Sequence, residues 1–333
     1  MAIEIYKDSK IVPVIVAQAK GERVDSAVAE EAAKLIRDLA SNPNPNNRYQ
    51  IAQLVGFAVN DILRPRTNWL DVVADVKRIA ENDKAQFKVK HEGIRAYIQA
   101  KGATTARSKV AEKAVTVDTV CVSARPVINF VELRNGMDMA TLVLDAAYQM
   151  ELAEYGYIEN VLTAAASAWS APYYGAGSGV VAGTIDPMVR FWMRASAGAR
   201  PTIIGDIAMI GELAALTGFT VTTNTMWANG VMEEYARAGF VGTYKGANVV
   251  NMLNPLNVET GANALSTKNL YILPSGVDVS TRPLKVVFEG DVVAQDELNI
   301  DDKSFEVRLD QCFGAAMVYG NLPFMSVYHD QSV

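Results

Sequence analysis

Between residues 138 and 168, Met139, Leu142, Val143, Ala146, Met150, Ala153, Tyr157 and Val161 recur every three or four positions with no proline among them. That spacing predicts a single helix about 46 Å long, more than twice the length of an ordinary globular helix. Such a stripe must be covered along its whole reach, so the helix is read as a spine between two layers. Gly156 is its local weak point.

Around this helix the pattern is α+β. Residues 24–39 repeat Ala27, Ala32, Leu35, Ile36 and Leu39 at helical spacing behind Asp25 and Ser26, until "SNPNPNN" at residues 41–47 stops them. Helical patterning resumes over residues 54–79, through Val55, Ala58, Ile62, Leu70, Val73 and Val76. The first fifty residues hold seven acids and seven bases; with one helix they cannot bury a core alone, so they are expected to be an arm lying on another body.

"YYGAGSGVVAG", residues 173–183, lacks the G-x-G-x-x-G spacing and the strand-turn-helix setting of a dinucleotide site, and is expected to be a flexible loop. Residues 200–271 read as a compact α/β patch with helices at 206–217 and 229–238, each stopped by a glycine, Gly218 and Gly239. In "FVGTYKGANVVNMLNPLN", residues 240–257, Gly239 and Gly242 are expected to turn the chain out of a helix. Lys245 and Gly246 supply the next turn, and "ANVVNML" is a buried strand. "LKVVFEG" and "SFEVRLDQCFGAAMVY" close the chain as strands, with Phe305, Val307 and Leu309 inward and Glu306, Arg308 and Asp310 outward.

Charge is segregated along the chain. Overall it carries 31 bases and 37 acids, a net of −6, which disfavours a role as a general polyanion binder. Yet residues 84–113 hold eight bases (Lys84, Lys88, Lys90, Arg95, Lys101, Arg107, Lys109 and Lys113) and two acids, a local net of +6. Two strand-like runs, "FKVKHEGIRAYIQA" and "AVTVDTVCVSARPVINFVEL", flank the tip "KGATTARSK", which predicts a long two-stranded excursion. Phe87 and Tyr97 are the only aromatics within the basic run, too few for a nucleic-acid stacking platform. Residues 286–333 hold nine acids, among them Asp296, Glu297, Asp301 and Asp302, and two bases, a net of −7. A polar excursion without a core gains most by lying across an acidic neighbour, and that neighbour can be a second copy of the chain.

No reactive device accompanies these patterns. His91 and His329 sit in no nucleophile or ligand motif, no phosphate loop or H-E-x-x-H occurs, and the acidic set lacks the spacing of a calcium loop. The chain is read as having no catalytic, cofactor or metal site. Cys121 and Cys312, far apart in sequence, are read as buried thiols in a reducing compartment. "IVPVIVAQA" imitates a short signal core, but Glu4 and Asp8 cancel Lys7 and Lys10 beside it. No apolar run reaches membrane length, so no membrane partner is expected.

The order of elements, with "EEYARAGFVGTYKGANVVNMLN" and an ending of the type "LYILPSG…KVVFEGD…DDKSFEVRLDQCFGAAMVYG", resembles tailed-phage major capsid proteins of the Hong Kong 97 fold. The resemblance implies an N-terminal arm at 1–50, peripheral-domain helices at 51–85 and an extended E-loop at 86–130. A peripheral domain with the spine helix would follow at 131–190, an axial domain at 191–283, and return strands at 284–333. It implies self-assembly as hexamers and pentamers into an icosahedral shell around double-stranded DNA in a virion, assembled in the host cytoplasm, with a portal protein and room for a decoration protein. The short leading segment with Met1 present leads us to expect that nothing is cleaved and that scaffolding comes from a separate protein. Some relatives join an E-loop lysine to a neighbour's asparagine; Lys101 or Lys109 is placed for this, but no partner asparagine is assignable. An encapsulin-type compartment enclosing protein cargo is the alternative.

Overall fold

In the computed structural model, the described residues are 11–42, 44–63, 70, 74–92, 107–135, 139–195, 200–221, 240–252, 265–274, 279–298, 305–320 and 323–332, with single positions 96, 98, 101, 104, 254, 256, 261 and 263 between them. Three helices open the chain: α1 (Ile11–Ala19), α2 (Ser26–Ser41) and α3 (Pro45–Leu63). Asp25 caps α2 by accepting from the Ala27 amide at 3.1 Å, and Pro45 opens α3, where its missing N–H costs nothing. The "signal-like" run is α1, with Val12, Val14, Ile15 and Val16 buried. It packs with α2 and α3 in one core, so the described part of the expected arm lies on its own chain's body. A short apolar helix and the amphipathic α2 bury more together than either could alone.

After α3 the helical pattern ends. Val76 lies in strand β1 (Ala74–Ile79), paired in parallel with a later strand, so β-pairing overrides the apparent helical spacing there. Next comes an antiparallel ribbon, β2 (Gln86–Glu92) and β3 (Ala111–Thr116), followed by β4 (Val120–Ala124), β5 (Val127–Ile128) and the one-turn α4 (Phe130–Arg134). The second half of the expected excursion therefore divides: β3 returns along β2, while β4 and β5 join the body.

The long helix α5 spans Met139–Ala166. Its first half, through Met150, packs with α1 to α3, and its second half, from Tyr155, packs in a second core with parts of both sheets. The buried face is not the apolar stripe alone. Ala153 and Tyr157 are exposed, while Glu151, Glu154 and Glu159 are buried. Glu159 explains part of the rotation: its carboxylate accepts from Tyr271 Oη (2.8 Å), Asn269 Nδ2 (3.1 Å) and the Ser266 amide (2.6 Å). A buried side chain met by three donors is satisfied, and apolar periodicity cannot register it.

β6 (Tyr174–Gly177) lies within the stretch expected to be a loop, and α6 (Ala182–Ala195) begins at its end. β6 pairs in parallel with a C-terminal strand, and its glycines permit the contact: a Cβ on Gly177 would lie 2.5 Å from Tyr328 Oη, and one on Gly175 2.5 Å from Thr184 Cγ2. Then come β7 (Thr202–Gly205), α7 (Ile207–Ala214), β8 (Phe219–Val221), β9 (Phe240–Tyr244), β10 (Ala247–Asn251) and β11 (Asn269–Leu273). Asp206 caps α7, and Gly218 follows it with φ +104°. Lys245 and Gly246, both at positive φ, make the β9–β10 turn as expected. Gly242 does not turn the chain: it lies within β9, where a Cβ would meet Thr220 O of β8 at 2.4 Å. Gly239 and the expected helix at 229–238 lie outside the described residues.

The chain closes with β12 (Leu284–Leu298), β13 (Phe305–Met317) and β14 (Ser326–Asp330). One sheet runs β1-β12-β13-β4, with β5 also on β13; the other runs β6-β14-β11-β7-β10-β9-β8. Phe305, Val307 and Leu309 are fully buried on the inner face of β13, as the alternation requires.

Candidate assembly surface

The ribbon is rooted in a small apolar cluster of Ala85, Phe87, Val117 and Val287. Beyond that root the side chains turn outward: Lys88, Glu112, Lys113 and Ala114 are exposed, and so are Lys84, Lys101, Arg107 and Lys109. Lys90 pairs through its backbone with Glu112, while Arg95 lies outside the described residues. Lys88, Lys90 and Lys113 thus lie on the paired strands, Lys84 just before them, and Lys101, Arg107 and Lys109 in the segment that joins them. None of the basic set's described side chains forms a salt bridge with a described acid of the same chain.

Glu289 of β12 fastens both legs of the ribbon. Its Oε1 accepts from the Asn82 amide at 2.6 Å, and its Oε2 from Thr119 Oγ1 at 2.8 Å. Nearby, Lys77 donates to Gln86 O at 2.6 Å and sits 4.4 Å from the Phe87 ring centre. Lys285, buried beneath, donates to Asp75 Oδ2 (2.9 Å) and Ser280 O (2.8 Å). Burial pulls the pKa of Lys285 down, against the pull of Asp75. Gly314 lets the return leg cross β13 closely, since a Cβ there would lie 2.3 Å from Asp118 O.

The two described members of the acidic set have basic partners within the chain. Asp296 lies 3.8 Å from Arg48 Nε, and Glu297 is bound by Arg125 Nη2 at 2.8 Å, with Glu306 also on Arg125. Asp301 and Asp302 lie outside the described residues. Asp296 also stands roughly 20 Å along β12 from Glu289, so it does not meet the ribbon root within one chain. Counting charges by segment missed this, because Arg48 and Arg125 come from other parts of the chain. It missed Glu289 as well, which reads in the sequence as one acid among nine.

The cysteines are corrected too. Cys121 and Cys312 are register partners in β4 and β13 and form a disulfide. Their separation of 191 residues hid a pairing that only the sheet creates. Among the described residues no cluster of three or more His, Cys, Asp or Glu is placed to hold a metal, and no helix is long and apolar enough to cross a membrane.

A family described as "SPbeta prophage-derived putative capsid protein YonB" matches residues 3–327. The chain belongs to this family. No curated protein sequence matches this capsid protein. Among solved structures, a chain of Microbacterium phage Oxtober96 superposes with a TM-score of 0.50 at 11% identity, covering 78% of this chain and 90% of that one. A chain described as the asymmetric unit of the bacteriophage PhiM1 mature capsid gives 0.49 at 13%, covering 78% and 86%. A virus-like particle from Pyrococcus furiosus gives 0.46 at 12%, covering 83% and 98%. Identities this low speak for fold alone. The capsid protein is a phage shell protein with a Hong Kong 97-like α+β fold.

Proposed function

We propose that this capsid protein builds a closed icosahedral shell of hexamers and pentamers around packaged double-stranded DNA, without catalysis, and that its basic ribbon lies across a neighbouring copy. The shell's further partners belong to the same proposal: a scaffolding protein, a portal and a decoration protein, with assembly in the host cytoplasm. In domain terms, the ribbon is the core of the E-loop, α5 with the β12–β13 sheet the peripheral domain, and the seven-stranded sheet with α6 and α7 the axial domain. The observation that carries the proposal is the ribbon itself. Two strands without a third are marginal in water, and this pair carries its exposed bases beyond the apolar root that holds it.

No single rim contact holds a shell, since an exposed ion pair contributes about 0.2–1 kcal/mol; repetition over many copies supplies the strength. Sedimentation of the purified chain is expected to show megadalton particles, and a persistent monomer or small oligomer would overturn the reading. Reversing Lys101, Arg107 and Lys109 to glutamate is expected to weaken assembly more at low salt than at high salt, and normal assembly in both would remove the docking role. Nucleic acid inside the particles is expected; enclosed protein in its place would favour the nanocompartment.

A further inference from the structure

β4 is the first strand after the ribbon and the outer strand of its sheet. It buries little: Val120, Cys121 and Ser123 are exposed, and Val122 and Ala124 are half-buried. One register of five residue pairs joins it to β13, and one pair in from the end nearer the ribbon the Cys121–Cys312 bond makes the attachment covalent. The ring closed by that bond encloses α5 and six of the seven strands of the larger sheet, with β14 beyond Cys312, whereas the ribbon hangs just outside it. Between bond and ribbon the chain is already pinned, by Thr119 on Glu289 and by the close crossing of Asp118 over Gly314. The disulfide is therefore a covalent anchor directly behind these two contacts, and its exposed member is reachable by small thiols and disulfides.

We propose that Cys121 and Cys312 act as a thiol–disulfide lock that fixes the direction in which the ribbon leaves the body, tightening the shell when oxidised and loosening it when reduced. This rests on the reading that the ribbon docks on a neighbouring copy. The oxidant is a small-molecule disulfide of the glutathione class. The Cys121 thiolate attacks one of its sulfurs, forming a mixed disulfide and expelling one thiolate. The Cys312 thiolate then attacks Cys121 Sγ, forming the protein disulfide and expelling the second. Two protein thiols lose two electrons and two protons, and the small disulfide becomes two thiols. Dithiothreitol drives the same steps in reverse.

The test uses particles of the full chain, equilibrated with oxidised glutathione or with dithiothreitol. Intact mass is expected to differ between the two by two hydrogen atoms. Amide exchange at residues 117–124 is expected to be about tenfold slower in the oxidised form, and the particles to dissociate at a higher temperature. A Cys121→Ser/Cys312→Ser variant is expected to keep the reduced behaviour in both reagents; if it does not fold, reduced wild-type chain supplies the same comparison. Equal exchange and equal dissociation temperature in both redox states would overturn the lock, as would a wild-type chain whose thiols stay alkylatable under oxidised glutathione. A chain that never forms particles would overturn the shell reading instead, and exchange at residues 117–124 would then decide whether the bond still fixes the ribbon root.

Discussion

Glu154 sits buried on α5, and its Oε1 has no hydrogen-bond partner among the described residues. Loss of solvation and then the charge of Glu151 push its pKa from 4.5 to about 8, with Arg78 opposing them. The folded chain therefore holds a proton that the unfolded chain has released anywhere between those two values. Stability from this group is complete below the lower value and is lost as pH rises to the upper one, by about 1.4 kcal/mol per pH unit. Glu154→Gln is expected to flatten that decline, and thermal melts of both chains from pH 5 to 9 check it; parallel curves would contradict it. Glu159 differs in its partners, since three donors meet its side chain. Glu159→Ala leaves Tyr271, Asn269 and Ser266 short of a partner and is expected to cost about 2–4 kcal/mol in chemical denaturation. Neither role is legible in a list of residues, because a buried glutamate on an amphipathic helix is counted as a surface one until its neighbours are known.

At the scale of elements, the root of the ribbon separates what is fixed from what is free. Among the described side chains of β2, Phe87 is the large one that sinks into the body, and it packs with Val287 of β12. Phe87→Ala is expected to free the ribbon without unfolding the rest: trypsin should cut at Lys88 and Lys113 several-fold faster while far-UV circular dichroism is kept. Gly314→Ala acts on the same root from β13, since a methyl would press on Asp118 O, and a loss of roughly 1–3 kcal/mol is expected in thermal melts. Strands with strict alternation, such as β13, were readable from residue order alone. β6 was not, because Gly175 and Gly177 carry no pattern and become a strand only where β14 offers an edge and Tyr328 leaves no room for side chains. β1 failed for a related reason: a six-residue run cannot tell helical spacing from pairing until β12 lies beside it.

For the molecule as a whole, the ribbon and the body are separable. Replacing residues 88–113 by a short turn is expected to leave a folded monomer with an unchanged melting transition and to abolish particles in sedimentation; particles formed without the ribbon would show that it is not needed for assembly. What residue order by itself determined was local: the length of α5, the start of α2 behind Asp25, the turn at Lys245 and Gly246, and a concentration of positive charge with no core beneath it. These depend on contacts within a few residues, where spacing and backbone preference act directly. Tertiary structure decided which acids were already neutralised by Arg48 and Arg125, which glutamates α5 buries, where the first three helices lie, and that two cysteines 191 positions apart face each other. Those outcomes depend on pairings between distant segments, and only packing brings the partners within reach.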